Sequence, residues 1–100
     1  MIPLKTIEDL ISKHSLLEKE LSSNEIDKKQ FAEKSKEYSD LNEIIKDAKK
    51  YFSYEKEKKD LEKILEDSSS DDEFKLMAQS ELEDLKIEND SIEKLLKLFL

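Results

Sequence analysis

The chain has 100 residues, a net charge of −8, no glycine, no cysteine and a single proline. Without glycine it lacks the residue for positive-φ turns, phosphate-cradling loops and close backbone approach to a substrate, which excludes a sharp-loop active site. The acidic balance argues against nucleic acid as a main partner, and all 18 basic residues are Lys, which lacks the forked donor that reads guanine or clamps phosphate.

A hydrophobic fraction of 36% is low for a compact globule, so burial must follow narrow stripes along elongated helices. The periodicity of the apolar residues argues against intrinsic disorder. Zero Cys excludes a disulfide framework and cysteine-ligated zinc, and fits a reducing compartment. No apolar run is long enough to span a bilayer, and MIPLKTIEDL lacks the pattern of a signal peptide. One soluble, cytoplasmic helical domain over residues 1–100, without a membrane partner, is the expectation.

The first predicted helix covers about residues 3–21. Pro3 suits a first turn, where a missing N–H costs nothing. Leu4, Ile7, Leu10, Ile11, His14, Leu17 and Leu21 share one face, and Ser22, Ser23 and Asn24 end it. Asp27 with Gln30 resembles a capping pair and opens a second helix over about 27–67. Its stripe is Phe31, Tyr38, Leu41, Ile45, Ala48 and Phe52, then, after a phase shift, Tyr54, Leu61 and Leu65. Asp40 with Glu43 is a second cap-like pair that allows a break near 39–40; without one the helix is about 60 Å long.

The run from Asp67 to Asp72 reads as a turn, and Ser70 with Glu73 as a capping box for a third helix over 71–99. Phe74, Ala78, Leu82, Leu85, Ile92, Leu96 and Phe99 form its apolar face. Short connections make neighbours antiparallel. Helix three then places Leu65 against Phe74, Leu61 against Ala78, Tyr54 against Leu85 and Ala48 near Ile92. Helix one places Leu17 beside the Glu33 region and Ile7 beside Glu43. The fold class is therefore all-α: a long, coiled-coil-like antiparallel hairpin of helices two and three, with helix one packed on its base. Residues 28–63 hold eleven Lys against nine acids, and 66–93 eleven acids against two Lys, a charge division that favours this pairing.

No catalytic, cofactor-binding or metal-binding residue is predicted. His14, the single histidine, lies on an apolar stripe and reads as a packed side chain, because a site needs several partners. The pairs Glu8–Asp9, Asp71–Asp72 and Glu83–Asp84 diverge by about 100° on a helix and read as solvated surface. Tyr38, Tyr51, Phe52 and Tyr54 suit core packing better than a base-stacking platform, and Lys56, Lys58 and Lys59 read as a solvated face. The Leu-rich end, Leu95 to Leu100, has no cap or polar tail. It suggests a chain cut from something longer, with an apolar patch at Leu96, Phe99 and Leu100, close to Tyr38 and Leu41, that self-association would bury.

The segments FAEKSKEYSDLNEII (31–45), LEKILEDSSSDDEFKLMAQSELEDL (61–85) and IEKLLKLFL (92–100) resemble the N-terminal helical domain of bacterial class I peptide chain release factors. The family pattern is carried by Phe31, Ser35, Lys36, Glu37, Tyr38, Ser39, Leu41, Met77, Ala78, Glu81 and Leu82. One branch of the family has a tryptophan-containing segment before this helix; this chain has no Trp and sorts with the branch that reads UAA and UAG. The resemblance implies a domain of a translation termination factor directing stop-codon-dependent peptide release. In that family the domain is a non-catalytic docking arm that reaches toward the stalk base of the large ribosomal subunit, with functional interplay with the recycling GTPase. Its other partners are the remaining domains of the same chain. The family's codon-reading Pro-x-Thr loop and catalytic Gly-Gly-Gln loop have no counterpart here, since Pro3 is the only proline and glycine is absent. A generic coiled-coil adaptor or helical chaperone arm is the alternative.

Overall fold

Side-chain oxygens decide where the second and third helices of this chain begin. The computed structural model describes residues 1–23 and 25–100. It contains three helices, α1 (Leu4–Ser22), α2 (Lys28–Glu66) and α3 (Asp72–Phe99), and no strand among the described residues. Pro3 precedes α1 with φ −58°, and its carbonyl accepts from the amides of Thr6 and Ile7. At the other end the Ser22 hydroxyl lies within hydrogen-bonding distance of two carbonyls of the last turn, those of Glu18 and Lys19. Asn24, expected at this stop, lies outside the described residues.

The Asp27 carboxylate accepts the Gln30 amide at 2.8 Å, so the predicted capping pair does start α2. From there the helix runs unbroken for 39 residues and spans the 60 Å long axis of the molecule. Asp40 lies inside it, flanked by the half-buried Tyr38 and the buried Leu41 and Ile45. Burial on both sides of Asp40 outweighs the local competition a cap-like side chain offers.

The third helix is capped by Asp71, whose carboxylate accepts the Phe74 amide at 2.7 Å, and not by Ser70 as the capping-box reading expected. The preceding turn explains the shift. Asp67 accepts the Ser69 amide (2.9 Å) and hydroxyl (2.6 Å), and its carbonyl accepts the Ser70 amide, so Ser70 closes the turn and is one residue too early to cap. The two Ser69 bonds, hydroxyl first, hold the Asp67 carboxyl below its ordinary pKa. Asp71 also brings a full negative charge to the positive end of the helix. Asp71→Ala is therefore expected to lower stability by about 1 kcal/mol, with Ser70→Ala close to neutral. Thermal unfolding of the two variants checks the assignment, and equal losses would contradict it.

Both α1 and α3 run antiparallel to α2, so the molecule is two hairpins sharing one long helix. They overlap only in its middle. There Ile2, Ile7, Ala48, Tyr51, Ile92 and Leu96 form the core, with Leu10, Ile11 and Ile44 packed against it. Ala48 is wholly buried; its methyl lets the helices approach closely while Ile7 and Leu96 fill the space around it. Towards the start of α2 the packing is with α1 through Leu17 and His14; towards its end it is with α3 through Ala78 and Leu82.

Two expectations about the stripe need correcting. Phe52 is 45% exposed, and Tyr51, left off the stripe, is 4% exposed. The two positions lie 100° apart. The choice falls to Tyr51 because its hydroxyl accepts the buried Ile2 amide at 3.0 Å and reaches Glu93 at 3.4 Å, a pairing Phe lacks. Phe31 and Phe74 are also substantially exposed, since no third helix covers their ends of the molecule, and Phe99 is exposed at the rim of a cleft between α1 and α2. The second correction is register. Contacts of Ile2 with Tyr51 and Glu20 with Lys34 place α1 roughly one turn further along α2 than the expected Ile7–Glu43 and Leu17–Glu33 alignment, although the long Lys13 side chain still reaches Glu37 as that alignment expects. The α2–α3 register matches expectation: Tyr54 and Leu85 line the same furrow, Ala48 and Ile92 share the core, and Lys50 bonds Glu88 at 2.8 Å.

Candidate docking surface

The residues most often responsible for chemistry are occupied with structure. His14 is buried; its ring stacks on Tyr38 with centroids 4.8 Å apart, and Nε2 donates to Asn42 Oδ1 at 3.1 Å. This is the packed histidine that its place on the stripe predicts. Among the described residues no three His, Cys, Asp or Glu side chains converge as a metal site. Asp9 pairs with Lys5, and Asp71 is a cap. The four aromatics do not come together as a stacking platform: Tyr38 stacks on α1, Tyr51 is in the core, Tyr54 lines the α2–α3 furrow and Phe52 is open to solvent. Lys56 and Lys59 are exposed and Lys58 half-buried.

Glu93 gathers the charges of the overlap zone. It accepts the Met1 ammonium at 3.0 Å, lies 3.6 Å from Lys97 and holds the Tyr51 hydroxyl. The ammonium is the main reason its carboxyl sits below the usual range, while burial pushes the Tyr51 hydroxyl up. These groups form a clamp on the N-terminal segment.

The open surface is the far half of the α2–α3 hairpin. Past Tyr51, α2 buries no residue; Tyr54 and Glu55 still share a small cleft with Met1 and Leu4, and beyond it Leu61, Ile64 and Leu65 are half-covered by α3 alone. A furrow of about 390 Å³ runs between the helices over Leu61 and Leu85, rimmed by Glu57, Asp60, Glu81 and Asp84. It continues past Glu88 into a smaller cleft of about 160 Å³, where Lys50 and Asn89 lie. The Glu88 carboxylate raises the Lys50 pKa. The Asn89 Oδ1 atom is buried without a hydrogen-bond partner.

Sequence reasoning read Asp84 as solvated surface and missed that it shares a furrow with Glu57, Asp60, Glu81 and Glu88. The signal was available. Glu81, Asp84 and Glu88 recur at steps of three and four on α3, and the predicted register sets them against Glu57 and Asp60. Of the apolar patch expected at the end of α3, Leu96 is fully buried, while Phe99 and Leu100 are exposed together with Leu95 and Leu98. Phe99 and Leu41 line one cleft, as the predicted proximity requires. No helix is long and apolar enough to cross a membrane.

Comparison with known proteins gives this geometry its family. Residues 10–100 match the family described as the PCRF domain. Over all 100 residues the chain is 81% identical to peptide chain release factor 1 of Pelagibacter ubique (strain HTCC1062), and it spans 28% of that relative's length. No solved structure matches. The release-factor resemblance of the Phe31–Leu41 and Met77–Leu82 motifs is thereby met, and the chain belongs to the PCRF domain family.

Proposed function

We propose that this chain is the non-catalytic docking arm of a cytoplasmic translation termination factor, reaching toward the stalk base of the large ribosomal subunit. The observation that carries the reading is the end-to-end 81% identity with a protein named peptide chain release factor 1. A generic coiled-coil adaptor has no reason to hold that identity over both the covered base and the open hairpin. The shape suits an arm: 60 Å long and 26 Å by 20 Å across, anchored by three helices at mid-length and extended as two. Codon reading and hydrolysis belong, on this reading, to the Pro-x-Thr and Gly-Gly-Gln loops of other domains. A chain without glycine supplies no backbone for the second of these.

A chimera tests this. The aligned 28% of the Pelagibacter factor is replaced by this chain, and stop-codon-dependent peptide release is measured on reconstituted termination complexes. The chimera is expected to release peptide at a rate comparable to the parent, and the isolated chain to release none above background. A chimera that folds and is inactive overturns the docking-arm reading; release by the isolated chain overturns its non-catalytic character.

A further inference from the structure

The far half of the hairpin is built to receive a third helix, and its charges select that helix. At the base, α1 adds its cover to that of α3 along α2; beyond the cleft that Met1 and Leu4 share with Tyr54 and Glu55, α3 is the sole cover. The half-covered Leu61 and Leu85 form the floor of the furrow, which follows α2 from Lys50 to Leu61, roughly 16 Å or three turns. A floor of branched apolar side chains between two helices fits the apolar face of an amphipathic helix.

The rim decides the occupant. Glu57 and Asp60 on α2 face Glu81, Asp84 and Glu88 on α3. Lys50 is the one cation among the described residues lining the furrow, and it is already bonded to Glu88. Like charges brought together across a helix pair oppose folding, so nothing in the stability of the isolated hairpin explains their convergence. A ligand with positive charge beside its apolar face relieves it. Phosphate, nucleic acid and an anionic lipid surface are repelled by the same rim, and so is a second copy of a chain with net charge −8. The cleft at the base of the furrow supplies an independent sign of an absent donor: the Asn89 carboxamide oxygen is buried with no partner, and buried acceptors are normally satisfied.

We infer that this furrow binds an amphipathic helix of a protein partner, its leucine-like face on Leu61 and Leu85 and its lysine or arginine side chains on the five acids and Asn89. The inference names the kind of surface that the proposed arm would dock on, and so rests on that reading. Its test needs no ribosome, so it can fail while the chimera succeeds, or the reverse.

The probe is a synthetic peptide of about 15 residues, long enough to hold a helix, with leucine and lysine in helical periodicity. A scrambled peptide of the same composition is the reference. Calorimetry gives affinity and amide chemical shifts give location. The periodic peptide is expected to bind at least tenfold more tightly than the scrambled one and to shift the amides of Leu61, Leu85 and Asn89. Glu81→Lys with Asp84→Lys should weaken binding tenfold or more and raise the melting temperature by relieving the repulsion, which shows that the variant is folded. Glu18→Lys with Glu33→Lys changes net charge equally but lies on the other hairpin, and should leave affinity nearly unchanged. Equal binding of both peptides, equal loss in both variants, or shifts centred on α1 would overturn the inference.

Discussion

Leu96→Ala is expected to lower the unfolding free energy by about 3 kcal/mol and the melting temperature by roughly 12–20 °C for a chain of this length. Leu96 is fully buried and packs where all three helices meet, in one cluster with Ile7, Ala48 and Tyr51. Deleting its isobutyl group removes contacts with α1 and α2 together. Narrow helix pairs have little other material to move into the void, so relaxation is limited and the cost sits well above the transfer term alone. Leu98, two residues on and 84% exposed, is the internal control; its replacement by Ala should be close to neutral. Urea unfolding of both variants, with unchanged m-values, gives the comparison. Similar losses at the two positions would mean that the three-helix overlap is not the stabilising centre of the molecule.

The helical order, the turns and the α2–α3 register were legible in the sequence because each rests on a local or strongly periodic signal. Asp27 caps α2 by accepting its own Gln30 amide, a three-residue relation that any reading of spacing detects. Ala48 near Ile92 follows from a short turn and two stripes. The errors lie where two neighbours compete for one helix. Tyr51 and Phe52 satisfy the α2 stripe almost equally. The preference comes from the Ile2 amide, 49 residues away in sequence, which needs an oxygen. Likewise α1 slides roughly one turn because the His14–Tyr38 stack and the Tyr51 hydroxyl fix it at two points, and neither contact has a sequence period. The Asp71 cap was missed by one residue because Asp67 draws Ser69 and Ser70 into the turn. The acidic furrow was missed for a different reason. Each acid alone is an ordinary exposed side chain, and only the register between α2 and α3 makes five of them face one opening.

Amide hydrogen exchange is expected to fall into a gradient along the single helix α2, slowest from Ala48 to Tyr51 and faster with each turn toward Glu66. Local opening energies run from near zero at uncovered ends to the global value in the core. Ala48 and Tyr51 are held by α1 and α3 at once, whereas the turns beyond Glu55 touch α3 alone. The segment from Asp67 to Asp71 should exchange fastest, being held by the Asp67 bonds to Ser69 and Ser70 at an exposed tip. The other hairpin should be intermediate, because His14, Tyr38 and Leu17 give it one covered face. Because α2 is continuous, helix propensity cannot produce such a gradient by itself: the Lys- and Glu-rich sequence beyond Tyr51 favours helix as well as the segment before it. A steep decline therefore measures tertiary cover. Uniform protection along α2 would show that the hairpin is stable without a third helix, and would remove the physical reason for docking one there. If the gradient is present, the basic amphipathic peptide should flatten it from the tip inward while leaving Ala48 to Tyr51 unchanged, since a ligand protects only the segments whose opening its binding opposes.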